Sequence, residues 1–241
     1  MRTAVVIPTF NESQNLRALV QALCALEEEL LIIVVDDNSP DGTGEIADEL
    51  VAEYAEVEVI HREGKGGRGS ACIAGFEKAM ARPDLDYFIE MDADFSHDPE
   101  DVPRLIAAMA GCDVCIGSRY IRGSKIVNWG WQRHVFSHIA NGFARFLLGI
   151  PIKDYTNGYR CYSRQALQSI DFERIEAHGY IVLSEMAYQL HRAGMCFHEI
   201  PIIFVNRRRG QSNTSLAEIT DAFLSIVRLR LKYGKPEPQK V

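Results

Sequence analysis

Six consecutive apolar residues, Leu30-Leu31-Ile32-Ile33-Val34-Val35, run straight into the carboxylates Asp36 and Asp37. An unbroken run of that kind reads as a strand buried on both faces, which in water means helices above and below a parallel sheet. The pattern recurs. Tyr87-Phe88-Ile89-Glu90-Met91 ends in Asp92-Ala93-Asp94, and the strand-like Thr3 to Pro8 opens into Pro8-Thr9-Phe10-Asn11-Glu12. Ligands and metals gather at the carboxyl edge of a parallel sheet, so these three polar clusters are expected on one rim.

Between those runs the apolar spacing turns helical. Leu16, Leu19, Val20, Leu23 and Leu26 follow the capping candidate Asn11, and Ile46, Leu50, Val51 and Tyr54 line a second helix. Val57 to Ile60 reads as a short strand, Ser70 to Met80 as a helix, and Asp86 to Met91 and Cys112 to Gly117 as strands around a helix at Val102 to Ala110. Further on, Trp129 to Leu148 reads as an amphipathic helix, Val182 to Ala193 as a helix and Cys196 to Val205 as a strand. Arg207 to Ser215 reads as a polar loop, and Leu216 to Tyr233 as a last helix ending at Gly234. The expected fold class is α/β, with a mixed, mostly parallel sheet between two helical layers. One domain is expected over residues 1–234, with a disordered tail at 235–241.

At 241 residues and 47% apolar content, the chain can bury a sizeable core. Its formal charge of −7 speaks against general nucleic-acid binding, which wants a strongly basic face. Local charge differs. From Val114 to Lys153 there is no Asp or Glu, while Arg119, Arg122, Lys125, Arg133 and Arg145 accumulate, so an anionic partner is expected there. The six cysteines are scattered, several in apolar runs, which reads as buried reduced thiols and a cytosolic compartment. Cys112 and Cys115 have CxxC spacing without a second ligand pair. No stretch approaches the roughly 18 continuous apolar residues of a bilayer span. Met1 enters a strand directly, with no signal peptide visible, so the chain is expected to be soluble or peripheral to a membrane.

Each acidic cluster has two readings. Asp36 through Thr43 forms an Asx/Pro turn with Thr43 as helix N-cap, or it offers a strand-end carboxylate to the donors of a base or ribose. Asp92-Ala93-Asp94 is a solvated strand end, or a pair of carboxylates converging on a hard divalent cation that also bridges diphosphate oxygens.

In combination and order, a set of segments resembles the family 2 inverting glycosyltransferases of the GT-A fold (Rossmann-like nucleotide-diphospho-sugar transferases). Within them the resemblance is to the polyprenyl-phosphate or dolichyl-phosphate mannose synthases. The segments are Pro8 through Glu12, Asp36 through Thr43, Asp92 through His97, Gly117-Ser118-Arg119-Tyr120, Asp154 through Arg160, and Arg207 through Ser212. The resemblance implies transfer of a hexose, mannose from GDP-mannose first, to a polyprenyl monophosphate with inversion and with Mg²⁺ or Mn²⁺. UDP-glucose or another nucleotide sugar is the alternative donor. It implies that Pro8, Phe10, Glu12, Val35 and Asp37 hold the nucleoside, that Asp92 and Ala93 lie beside ribose and diphosphate, and that Asp94, with Ser96, binds the metal. Arg119, Arg133, Ser137, Arg207 and Ser212 match positions near the acceptor phosphate or the donor diphosphate, with Asp94, Arg119 and Arg133 as the catalytic set. Residues 1–118 are then the nucleotide-sugar half and 119–234 the acceptor half. Two positions depart from the family pattern: Ser96 where Gln is frequent, and Asn213 where Lys commonly follows the residue matched by Ser212, with Arg208 or Arg209 as the substitute cation.

A lipid phosphate monoester has a second pKa of about 6 and arrives ionised, so such an enzyme need not deprotonate its nucleophile. Its tasks are to align the phosphate with the anomeric carbon and to stabilise the leaving diphosphate. The basic stretch fits that work; a solvated helix face with Lys/Arg stems over apolar surface is the plainer alternative. The Trp129 to Leu148 helix suits a membrane interface and core packing equally, and a separate membrane-anchor protein is a further class of partner. Gly64-Lys65-Gly66-Gly67-Arg68-Gly69 meets the GxGxxG spacing of a dinucleotide-binding oxidoreductase. That fingerprint should open the first βα unit, so Lys65 and Arg68 are read instead as a mobile phosphate-facing loop. His97, His134, His138 and His178 are expected as surface or hydrogen-bonded residues, and a non-catalytic sugar-nucleotide-binding protein is the remaining alternative.

Overall fold

The computed structural model describes residues 1–175, 181–206 and 216–234, with the backbone alone for 216–222. Its first half alternates as the spacing predicts: β1 (Thr3–Thr9), α1 (Leu16–Cys24), β2 (Leu30–Asp36), α2 (Thr43–Glu53), β3 (Val57–His61), α3 (Arg68–Met80), β4 (Tyr87–Glu90), α4 (Val102–Ala108) and β5 (Val114–Ser118). The second half adds β6 (Lys125–Val127), α5 (Trp131–Leu148), β7 (Arg160–Ser163), α6 (Arg164–Gln168), α7 (Ile181–Arg192), β8 (Phe197–Pro201), β9 (Ile203–Val205) and α8 (Leu216–Tyr233).

Seven strands form one sheet in the order β3-β2-β1-β4-β7-β5-β8, all parallel except β7, which runs antiparallel to both neighbours. β2 is buried at every position, as its unbroken apolar run requires. Side chains alternate across the sheet. Val6, Ile33 and Val35 face a core with Phe76 of α3 and Met186 of α7, whereas Val5, Ile7, Ile32 and Val34 face Leu16, Leu19 and Leu50 of α1 and α2. Because β1, β2 and β4 are parallel and Thr9 pairs with Asp36, their carboxyl ends finish on the same rim.

One strand was not foreseen and three expectations are corrected. Arg160–Ser163 forms a strand in the middle of the sheet although its letters show no apolar run; Arg160 is fully buried there and donates to the carbonyls of Tyr155, Asn157 and Leu183. The expected strand Cys196 to Val205 divides after Pro201: β8 joins the large sheet beside β5, while β9 pairs with β6 in a separate two-stranded sheet. Asn11 does not cap α1, because it sits at φ 61° and the helix starts later, at Leu16. Thr43 is the first residue of α2 rather than its cap, and the capping position belongs to Gly42, whose φ of 89° glycine adopts without strain. Arg207 through Ser215, His178 and the tail from residue 235 lie outside the described residues. No helix among the described residues is long and apolar enough to cross a membrane.

Candidate active site

Non-glycine residues with positive φ are uncommon, and three of the four among the described residues, Asn11, Asn38 and Phe95, sit just past the ends of β1, β2 and β4. Each turns the chain sharply at the rim. Asp36 is consumed by this turning: Oδ1 accepts from Thr9 Oγ1 at 3.0 Å and Ser39 Oγ at 2.6 Å, and Oδ2 from Ser39 N at 3.0 Å. The adjacent Asp37 points the other way. Its Oδ1 accepts from Arg62 Nη1 at 2.6 Å and its Oδ2 from Gly66 N and Gly67 N at 3.0 and 2.9 Å. With about four lone-pair sites on a carboxylate, Asp37 spends most of its capacity fastening the β3–α3 loop. That loop carries Lys65 across to Phe10, with Nζ 4.1 Å from the ring centroid.

The rim encloses a cleft of about 250 Å³. Of the residues expected on the donor, Pro8, Phe10, Glu12, Asp37, Asp92, Ala93 and Asp94 all line it. Val35 does not; its side chain is fully buried and its carbonyl accepts from Thr9 Oγ1 at 3.3 Å. The left-handed Phe95 folds the chain so that Ser96 N and Ser96 Oγ both donate to Asp94 Oδ1, at 3.0 and 2.5 Å. Ser96 therefore orients Asp94. Arg68, from the first turn of α3, reaches the cleft and is no mobile loop residue: Nε donates to Asp92 Oδ1 at 2.6 Å and Nη1 to Glu90 Oε2 at 2.9 Å. Burial opposes the charge on Arg68, but Asp92 and Glu90 more than offset this and hold its pKa well above the ordinary guanidinium value.

His97 ties this edge to the second half. Its Nδ1 accepts from Asp92 N at 3.0 Å, which leaves Nε2 to donate to Asn157 Oδ1 at 2.9 Å, and Asn157 Nδ2 donates to the Gly117 carbonyl. The ring is fully buried and stacked on Tyr159, and burial lowers its pKa, so it stays neutral. Beyond β5, Arg119 grips buried Asp154 through N, Nε and Nη2 at 2.7 to 2.9 Å and donates to Thr156 Oγ1 at 2.7 Å. Burial would raise the Asp154 pKa, but Arg119 overrides it and holds the carboxyl below its usual range. The Trp129 ring lies 5.5 Å from the Arg119 guanidinium and 4.2 Å from that of Arg133. Arg133 Nη1 donates to Asn206 Oδ1 at 2.8 Å, and Ser137 Oγ accepts from Tyr120 Oη at 2.5 Å. The structure thus brings Arg119, Arg133 and Ser137 together around Tyr120 and Trp129, while Arg207 and Ser212 lie outside the described residues. Burial pushes Cys112 up to about 11 and Cys115 up to about 12, so neither thiol ionises near neutral pH.

The family model described as glycosyl transferase family 2 matches residues 4–171. The chain belongs to glycosyl transferase family 2. It is 43% identical to a polyprenol monophosphomannose synthase of Mycolicibacterium smegmatis, over 93% of this chain and 85% of that protein. It is 41% identical to an undecaprenyl-phosphate mannosyltransferase of Micrococcus luteus, over 95% of this chain and 93% of that protein. Among solved structures, a glucosyl-3-phosphoglycerate synthase from Mycobacterium tuberculosis in complex with Mn²⁺, UDP and phosphoglyceric acid matches with TM-score 0.66 and 20% identity, covering 98% of this chain and 80% of that one. At that identity the likeness concerns the fold, the GT-A arrangement of a mostly parallel sheet with flanking helices.

Asp92 and Asp94 both line the family 2 cleft and supply oxygen donors. No group of three or more His, Cys, Asp or Glu among the described residues could hold a metal by itself. Carboxylate oxygens suit a hard cation that takes one or two protein ligands and completes its shell with phosphate oxygens and water. Arg62 escapes the sequence reading and Arg68 enters it only as a loop residue, yet one signal for the role of Arg68 is there: Glu90, a charge inside an apolar strand, requires a buried partner.

Proposed function

We propose that this family 2 enzyme transfers mannose from GDP-mannose to the phosphate of a polyprenyl monophosphate, with inversion at the anomeric carbon. The observation that carries this reading is a physical link between two sets of residues. An acidic cleft at the ends of β1, β2 and β4 is tied to the Arg119–Trp129–Arg133 corner beyond β5 by a chain of bonds from Asp92 through His97, Asn157 and Asp154 to Arg119. The polyprenyl-phosphate chemistry named for the mycobacterial and micrococcal relatives supports the acceptor class.

On this reading Pro8, Phe10, Glu12 and Asp37 hold the nucleoside, and Asp92 and Ala93 lie against ribose and diphosphate. Asp94, oriented by Ser96, holds Mg²⁺ or Mn²⁺, which when bound neutralises charge on the departing diphosphate. Arg119, Arg133 and Arg207 gather the acceptor phosphate, already a dianion and needing no base. His97 is not that base in any case, since both ring nitrogens are engaged inside the protein. Incubation with labelled GDP-mannose, GDP-glucose, UDP-glucose and UDP-galactose, each with undecaprenyl phosphate and Mg²⁺, is expected to give lipid-linked mannose fastest. Equal or faster transfer from a UDP-sugar would overturn the donor assignment, and no lipid product from any donor would remove the synthase reading.

The acceptor's tail belongs in a membrane, and two packed helices offer a face for it. Trp131, Val135, Ile139 and Phe146 form an exposed apolar stripe on α5, beside Leu224, Val227 and Leu231 on α8, with α5 and α8 joined through Phe143 and Phe223. Phe146 and Leu231 are 86% and 78% exposed. Burying such a side chain stabilises by about 1.5–3 kcal/mol, at least about tenfold per residue in partitioning. Phe146→Glu combined with Leu231→Glu is therefore expected to cut sedimentation with phosphatidylglycerol vesicles by about a hundredfold. Unchanged partitioning would show that this face does not meet lipid.

A further inference from the structure

Arg68 is built into the cleft floor with more care than a solvated cation needs. Its side chain is 14% exposed, and its three nitrogens are fixed by partners on different segments: Nε on Asp92 Oδ1, Nη1 on Glu90 Oε2 and Nη2 on the Gly158 carbonyl, at 2.6 to 2.9 Å. Glu90 is held from its other side by Tyr162 Oη, which donates to Oε1 at 2.6 Å. A Cβ at residue 158 would collide with the guanidinium, so Gly158 leaves the space that Arg68 fills. A guanidinium anchored in this way loses little freedom when it acts, and it fixes the carboxylate it holds.

Charge gives the anchoring a purpose. The cleft is lined by the carboxylates Glu12, Asp37, Asp92 and Asp94 against the cations Lys65 and Arg68. Lys65 stands over Phe10 at the mouth, and Asp37 has its own partner in Arg62. Arg68 is thus the lining cation bonded to Asp92. An incoming nucleoside diphosphate adds further negative charge beside Asp92 and Asp94, where an unpaired Asp92 would repel it.

We propose that Arg68 is a donor-positioning residue: it clamps the Asp92 carboxylate in the orientation that meets the donor's ribose and diphosphate, and it offsets negative charge on the cleft floor. This role rests on the nucleotide-sugar reading of the cleft. The test compares the wild-type chain with Arg68→Met and with the double variant Arg68→Met/Glu90→Met, which removes the fully buried Glu90 charge together with Arg68 while Asp92 still loses its clamp. Binding of GDP and of UDP with Mg²⁺ is followed by titration calorimetry, the melting midpoint by circular dichroism, and donor and acceptor KM by transfer assay. In Arg68→Met, nucleotide Kd and donor KM are expected to rise about tenfold, with acceptor KM and kcat at saturating donor within about twofold of wild type. In the double variant the melting midpoint should recover while nucleotide Kd and donor KM stay high. A merely structural role predicts the reverse, so recovery of donor KM together with stability would overturn the proposal, as would wild-type nucleotide affinity in Arg68→Met. Failure of the wild-type chain to bind either nucleotide would instead remove the reading of the cleft on which this role depends.

Discussion

Asp94→Ala is expected to lower kcat by about a hundred- to a thousandfold, because metal stabilisation of a leaving diphosphate supplies several kcal/mol and each 1.4 kcal/mol is tenfold in rate. Asp94 lines the cleft and has Oδ1 held by the backbone and side chain of Ser96, so its position is set before any ligand arrives. Two consequences separate this from general damage. The melting temperature in the absence of metal should change little, since the bonds Asp94 accepts from Ser96 close a turn at the rim of the sheet. Ser96→Ala should cost only about tenfold, because the Ser96 backbone N–H still holds Asp94 when the hydroxyl is gone. Circular dichroism checks the first and turnover across Mg²⁺ and Mn²⁺ concentrations the second, and an Asp94→Ala enzyme with intact metal-dependent turnover would take Asp94 out of the metal site.

The largest expected effect on stability lies on the other half. Asp154→Asn leaves the Arg119 guanidinium buried without its countercharge, which costs about 3–5 kcal/mol. Asp154 is fully buried, accepts from Arg119 N, Nε and Nη2, and also takes Asn157 N at 3.1 Å. The pH dependence follows from the lowered pKa of Asp154. A carboxyl depressed by folding contributes stability that is fully present above its unfolded value, about 3.9, and is lost as pH falls through the lower folded value. Urea unfolding should therefore show the full gap between wild type and Asp154→Asn at pH 7 and a shrinking gap below about pH 4. A gap under 1 kcal/mol at neutral pH would mean that Arg119 finds other partners and that the pair is no anchor for the acceptor side.

Much of this fold was legible because burial leaves a mark in the letters. The run Leu30 to Val35 could only be a strand covered on both sides, and helical spacing on either side of it required crossover connections. β7 left no such mark. Its Arg-Cys-Tyr-Ser sequence is carried into the sheet by partners distant in sequence: Arg160 on carbonyls of the 155–157 turn and of α7, and Tyr162 on Glu90. A chain read locally cannot price a polar group whose partner lies elsewhere. The same holds in the cleft. Pro8, Phe10, Glu12 and the aspartates stood at strand ends and were readable, whereas Arg62 and Arg68 enter from the β3–α3 connection, and their roles exist only once Asp37, Glu90 and Asp92 are in place. Asp37 also acquires a task its position did not announce, that of holding the Gly66–Gly67 backbone.

In the proposed reaction an acceptor phosphate oxygen, already ionised, attacks the sugar. It is tested most directly by offering the wild-type enzyme labelled GDP-mannose and Mg²⁺ with undecaprenyl phosphate in one reaction and undecaprenol in another. Lipid-extractable mannose is expected in the phosphate reaction alone, as an acid-labile phosphodiester of inverted anomeric configuration. Label joined to undecaprenol, retained configuration, or no lipid-linked label in either reaction would contradict it.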